Sequence, residues 1–142
     1  KDFESFGLAI SGQLKKIGFD PTLLVFSSGE FFDHVSETDL FFFGWKFEFP
    51  DTLDFLKNVV HSRGFQNLND YANSDVDDLI DDALETFEPR KRLAAIQKIM
   101  NILVSEDIYG VPLLEPQNIS VAAPDIIFSS RFDGQLILRE IR

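Results

Sequence analysis

The segment 44–51, Gly-Trp-Lys-Phe-Glu-Phe-Pro-Asp, combines the residue types best suited to holding a ligand. Trp45 and Glu48 lie three residues apart, and Phe47 and Phe49 flank the acid. An acid beside an indole suits an ammonium group, because the carboxylate supplies charge and the ring supplies a cation–π face. The alternative is that Trp45 fills the core and Glu48 is solvated, and the pattern alone does not separate the two. The candidate ligand-binding residues are therefore Trp45, Phe47, Glu48 and Phe49.

Other reactive side chains indicate no catalytic or metal centre. His34 and His61 lack the spacing of metal ligands, so we expect both at the surface. The acidic run 75–82 is typical of a solvated helix face near a helix N-terminus. Glu48 and Asp51 are close in sequence, but nothing places them across a substrate as a glycosidase pair. We expect no catalytic residue, no metal and no cofactor.

The remaining nucleophile and phosphate-binding patterns are missing from the sequence. There is no cysteine, no Gly-x-Ser-x-Gly elbow and no glycine-rich phosphate loop. The tripeptide 27–29, Ser-Ser-Gly, is a weak anion-binding nest at best, and a turn into a helix is the simpler interpretation. These observations favour a binding protein over an enzyme.

Composition excludes further classes of partner. The net charge of −11 argues against nucleic acid, whose phosphates require Lys and Arg, and against an anionic membrane surface. The length of 142 residues suits one domain, and 16 phenylalanines can fill a core, line a pocket or cover an interface. No apolar run is long enough to span a bilayer.

The elements that would position the segment 44–51 alternate between helices and strands. Apolar spacing and capping residues predict helices over 6–17 and 30–35, from Asp51, from Ser74 or Asp75, and from Pro89 toward Ile108. Apolar runs predict strands at 21–26, 40–43, 111–114, 119–122 and 135–141. The fold class is therefore α/β, with the segment 44–51 emerging at the end of a buried strand, where ligand crevices form.

The ordered set of motifs resembles the family-5 extracytoplasmic solute-binding proteins, the oligopeptide-, dipeptide- and nickel-binding receptors of ABC importers. The residues that carry the resemblance are Gly44-Trp45, Glu48-Phe49-Pro50-Asp51, Asn67, Tyr71, Asn73 and Asp77-Asp78-Leu79-Ile80. The helix entry upstream at 8–19, Arg92, and Val111-Pro112-Leu113 downstream are also similar. The resemblance thus covers nearly the whole chain in order.

The resemblance implies a periplasmic-binding-protein-like lobe of type II, with a mixed sheet flanked by helices. Residues 1–124 would form the second lobe of a two-lobed receptor, and 125–142 would return toward the first lobe. Glu48 stands where peptide-binding members place an Asp that receives the α-amino group, and its side chain is one methylene longer. Trp45 would be a neighbouring wall, and Phe47 and Phe49 would border the site.

The function implied is capture of oligopeptides or similar solutes for import, without catalysis. The partners would be a peptide or other small solute, an ABC permease and the N-terminal lobe of the full-length protein. The location would be the periplasm or the outer face of the cell membrane, as a lipoprotein whose signal is not in this sequence. Alternatives are a peptide-sensing or chaperone-like receptor and an acid-dependent hydrolase. The ligand could be a peptide, nickel chelate, sugar or opine.

Overall fold

The computed structural model describes residues 2–47 and 50–115, and beyond them residues 117, 119, 121–127, 131, 134, 135, 137 and 139. Within these residues the regular elements are helices. The chain divides into two compact units, Lys1–Gly44 and Trp45–Arg142. No helix in the described ranges is both long and apolar enough to cross a bilayer.

The unit Lys1–Gly44 contains two helices whose ends follow the local sequence. Helix α1 spans Asp2–Lys16 and closes at Gly18, whose φ of 94° lies in the left-handed region that glycine adopts without strain. Helix α2 spans Ser28–His34, and Ser27 with Glu30 forms a capping box at its start. A 3-10 turn, Val35–Glu37, follows α2. Both predicted helices of this unit are confirmed, and the segment 27–29 is a helix start.

Phenylalanine rings hold this first unit together. Phe42 packs against Phe3 and Phe6 of α1, with ring centroids 5.3 and 5.8 Å apart. Phe41 meets Phe31 of α2 edge-on at 6.1 Å. Two phenylalanines of the run 40–43 therefore pack against helices and not within a sheet.

The unit Trp45–Arg142 contains the other helices. Asp51 caps α3, Thr52–Phe55, and a π-helical turn, Leu56–Val60, continues it. Helix α4 spans Ser74–Glu85 and is capped by Asn73, one residue before the predicted cap. Helix α5 spans Pro89–Asn101 and continues as a second π-helical turn, Ile102–Glu106. All three helices predicted in this unit are confirmed.

The core of this second unit lies between α3, α4 and α5. Its buried residues are Leu53, Leu56, Val60, Val76, Ile80, Ala83, Ile99 and Leu103. They recur along the helices at the spacing that turns one face inward. Most residues of the apolar stripes predicted for these helices lie in or against the core, but Leu84, Leu93 and Val104, which were also predicted to face inward, are exposed.

The predicted strands are wrong, because the described part of the chain contains no strand or sheet. The described residues of 21–26, 40–43, 111–114 and 119–122 lie outside helices and strands, and most of 135–141 lies outside the described residues. Some apolar residues there are exposed, as Leu40 is at 76%, whereas Phe41 and Phe42 pack on helices. A strand requires a paired neighbouring strand, and these segments have none within the described residues. The prediction of an α/β fold, a periplasmic-binding-protein-like lobe with a mixed sheet, is therefore corrected to a helical architecture.

The predicted division into residues 1–124 and 125–142 stays a prediction. Much of 125–142 lies outside the described residues. The boundary between the compact units falls instead at Gly44 and Trp45, at the start of the candidate segment.

Candidate functional site

Trp45 is fixed to helix α3 by its indole. The Nε1–H group donates to Oδ2 of Asp54 at 3.1 Å, and the other oxygen of Asp54 accepts from Nδ2 of Asn58 at 2.9 Å. Asp54 and Asn58 lie four residues apart and so share one face of the helical stretch. Asn58 therefore holds the carboxylate of Asp54, and this carboxylate holds the indole of Trp45 in one orientation.

The rings around Trp45 form what we call the aromatic wall, consisting of Trp45, Phe55 and Phe65. Trp45 meets Phe55 and Phe65 edge-on, each with ring centroids 6.5 Å apart. Phe55 packs against the core, whereas Phe65 is 73% exposed and Trp45 is half-buried. Trp45 thus lies at the margin of the core and does not fill it.

The other predicted ligand-binding residues are placed only in part. Phe47 is exposed over 40% of its surface. Glu48 and Phe49 lie outside the described residues. The structure therefore brings Trp45 together with Asp54 and Phe65, and the role of Glu48 stays a prediction.

Asp51 connects the end of the candidate segment to helix α5. Its Oδ1 accepts the backbone N–H of Leu53 at 3.0 Å, and its Oδ2 accepts from Nη2 of Arg92 at 2.5 Å. The hydrogen bond from Arg92 is the main cause that holds the pKa of Asp51 below its ordinary value, against the opposing effect of partial burial. Two motif residues 41 positions apart are thus in direct contact.

Asn67, Tyr71 and Asn73 form a second set of motif contacts. The side chain of Asn67 bonds both the N–H and the carbonyl of Tyr71, at 3.0 and 2.7 Å. The hydroxyl of Tyr71 and Nδ2 of Asn73 both donate to Oδ2 of Asp107. Burial is the main cause that raises the pKa of Tyr71, and the carboxylate of Asp107 is the second cause. The hydrogen bonds from Tyr71 and Asn73 lower the pKa of Asp107. These residues fasten a loop to the end of α5.

His61 is buried, which corrects the prediction that both histidines lie at the surface. It is 4% exposed, and it is the one polar residue that is buried among the residues the structure describes. Its Nδ1 accepts the backbone N–H of Arg63 at 3.0 Å, and its Nε2 lies 3.2 Å from Nη2 of the same arginine. Nε2 lies 3.4 Å from Oδ1 of Asp81, and Nη2 of Arg63 lies 2.8 Å from Oδ2 of the same carboxylate. His34, the other histidine, is half-exposed.

Two acidic residues of helix α4 face this histidine. Asp77 accepts from the backbone N–H and the hydroxyl of Ser62, and its Oδ1 lies 3.5 Å from His61. Asp77 is therefore not part of the fully solvated face predicted for the acidic run. Within the described residues no group of three or more potential ligands is arranged to hold a metal ion.

A cavity of about 300 Å³ opens beside His61, and we call it the His61 cavity. It is lined by Lys57, Asn58, His61, Arg63, Gly64, Phe65 and Asp81. A Cβ atom at Gly64 would lie 2.6 Å from the carbonyl oxygen of Asn58, so only glycine allows the loop to pass this close. The cavity shares Phe65 with the aromatic wall.

Sequence reasoning missed this cavity because its residues come from two segments with no recognised motif. The available signal was the pair Asp77 and Asp81, four residues apart on a helix, together with a glycine after His61. That pattern shows a polar helix face but not which loop would cover it.

Comparison with protein-family models, with curated proteins and with solved structures finds no match to this chain.

Proposed function

We propose that this chain is the solute-capturing part of an ABC importer, which binds oligopeptides or similar amine-bearing solutes and does no chemistry on them. The proposal joins two supports that are independent of any sheet. One is the ordered set of motifs that resembles the family-5 solute-binding proteins. The other is the local geometry around Trp45, which lies in the helical unit Trp45–Arg142.

The observation that carries the proposal is the fixed, half-buried indole of Trp45 three residues before Glu48. An aromatic ring that is ordered before the ligand arrives loses little conformational freedom on binding. A ring face beside a carboxylate attracts an ammonium group through charge and through the ring quadrupole. The bond to Asp54 at 3.1 Å supplies that order.

The motif contacts support the proposal in a second way. Asp51, three residues after Glu48 in the sequence, is held by Arg92. Trp45, three residues before Glu48, is held by Asp54. A binding residue is most effective when the elements that carry it are rigid, so anchored positions on both sides of Glu48 in the sequence favour a binding role for this segment.

The experiment is a calorimetric titration of the full-length protein with short alanine peptides, with the amino terminus either free or acetylated. We expect Glu48→Gln to weaken binding of the free peptide by about 2–5 kcal/mol, because an ammonium group would lose its partner in a closed site. The acetylated peptide should bind weakly to both proteins. Glu85→Gln is the matched control, since Glu85 is exposed at the end of α4.

Two outcomes would contradict the proposal. One is the same peptide affinity for wild type and Glu48→Gln, which would make Glu48 a bystander. The other is no binding of any free peptide by a folded full-length protein, which would remove peptides as the solute class.

A further inference from the structure

The His61 cavity has a chemistry different from that of the aromatic wall. Its lining contains the cations Lys57 and Arg63 and a single carboxylate, Asp81. The two cations outnumber the carboxylate of the lining, in a chain whose net charge is −11. Asp77 does not line the cavity but lies 3.5 Å from His61, so binding of an anion here depends on direct contact with Lys57 and Arg63.

The two cations retain donors for a ligand. Lys57 is exposed and makes no hydrogen bond or ion pair with any other described residue. Arg63 is 76% exposed at its side chain and uses Nη2 toward Asp81, at 2.8 Å. Nη2 also lies 3.2 Å from Nε2 of His61. The guanidinium has five N–H donors in a planar fork, so those on Nε and Nη1 are left for a ligand.

The cavity also offers an apolar surface. Phe65 is 73% exposed and lines the opening, so a flat group can pack on its ring while charged atoms reach the cations. The volume of about 300 Å³ lies at the lower end of the range for small-molecule sites. The space therefore suits a small molecule.

We propose that the His61 cavity binds a small organic monoanion, a carboxylate carried on a flat apolar group. The carboxylate lies between Arg63 and Lys57, and the flat group packs on Phe65. Inorganic phosphate has no flat group to pack on Phe65, so it lacks the apolar part of this contact. This inference does not rest on the proposed function, because it uses neither Trp45 nor Glu48.

The experiment is an NMR titration of the ¹⁵N-labelled protein with benzoate, followed at the backbone amides of residues 57–65. Benzamide serves as the uncharged ligand of the same shape, and inorganic phosphate serves as the anion without an apolar group. We expect saturable shifts with benzoate, with a dissociation constant of about 1 mM, and no saturation with the other two ligands.

Variants separate a binding site from a general effect of charge. Arg63→Gln and Lys57→Gln should each weaken benzoate binding about tenfold, because each removes a charged donor. Lys57→Gln leaves the fold unchanged in our account, since Lys57 has no partner among the described residues. Arg90→Gln removes an exposed cation that does not line the cavity and should leave binding as in wild type.

The proposal is overturned by any of three results. These are an absence of saturable shifts with benzoate, equal binding of benzoate and benzamide, and unchanged affinity in both Arg63→Gln and Lys57→Gln. Because the probe is benzoate, none of these results bears on peptide binding through Glu48.

Discussion

At the scale of single residues, individual carboxylates of the second unit accept hydrogen bonds from two different residues. Asp54 accepts hydrogen bonds from Trp45 and Asn58, and Asp51 accepts hydrogen bonds from Leu53 and Arg92. A carboxylate has several acceptor positions, so one acid can cap a helix and bind a distant side chain at once. The residues flanking 48 and 49 are ordered by these two acids.

Asp51→Asn separates the two roles of Asp51. Asparagine caps helices as well as aspartate does, so the variant keeps the start of α3 and loses the charge opposite Arg92. We expect a loss of up to about 1 kcal/mol in the free energy of unfolding at neutral pH, because the pair is partly exposed. Urea denaturation of wild type and variant measures it.

The pH dependence of this loss has a definite sign. The pKa of Asp51 is lowered in the folded state, mainly by Arg92, so its contribution is present above about pH 3.9 and disappears as the pH falls below that value. The difference between wild type and Asp51→Asn should therefore shrink in acid. Asp82→Asn, at an exposed position, should change stability by less than about 0.5 kcal/mol. A difference for Asp51→Asn that grows on acidification would contradict this account.

The sequence indicated the types of residue at the candidate site better than their contacts. Trp45 was a candidate because an indole beside an acid suits an ammonium group, but its bond to Asp54 joins positions with no shared motif. Burial of His61 depends on a loop folding over α4, and that placement is a property of tertiary packing. Such contacts leave no periodic signal.

At the scale of elements, helices were predictable and strands were not. Helices α2 to α5 each have a capping residue, and α4 and α5 also have an apolar stripe, so local sequence is enough to indicate them. The runs at 21–26 and 40–43 have the composition of buried strands, but a strand also depends on a neighbour elsewhere in the chain. Composition alone could not show that Phe41 and Phe42 pack on helices.

The packing of α4 on α5 can be tested with a matched pair of truncations. Ile80 is fully buried in α4, and Leu84, one turn further along the same helix, is 40% exposed. We expect Ile80→Ala to cost about 2–5 kcal/mol of unfolding free energy, because it leaves a cavity in the core. Leu84→Ala should cost about 1 kcal/mol or less, since little apolar surface is lost from the interior.

Chemical denaturation of the two variants shows whether Ile80 is packed in a closed core between α4 and α5 or in a loosely packed one. Equal losses for Ile80→Ala and Leu84→Ala would mean that α4 does not direct Ile80 into a closed core. A larger loss for Leu84→Ala would mean that the packed part of this face lies nearer the C-terminal end of α4.

At the scale of the whole molecule, the buried apolar residues belong almost entirely to the unit Trp45–Arg142. Within the described residues, the unit Lys1–Gly44 has Val35 as its buried hydrophobic residue, and the other buried hydrophobic residues are in the second unit. The helical core that carries the aromatic wall is therefore the better-packed part of the chain. Division of the chain at Gly44 and Trp45 also follows from packing, and no composition shift in the sequence marks it.

The most direct measurement is the fluorescence of Trp45 in the full-length protein during titration with an alanine peptide that has a free amino terminus. The chain has one tryptophan, and subtracting the signal of a Trp45→Phe variant isolates its emission from any tryptophan elsewhere in the protein. The account predicts a saturable change in Trp45 emission, with the affinity measured by calorimetry, and a parallel weakening in Glu48→Gln. An unchanged Trp45 emission at full occupancy by the peptide would contradict it.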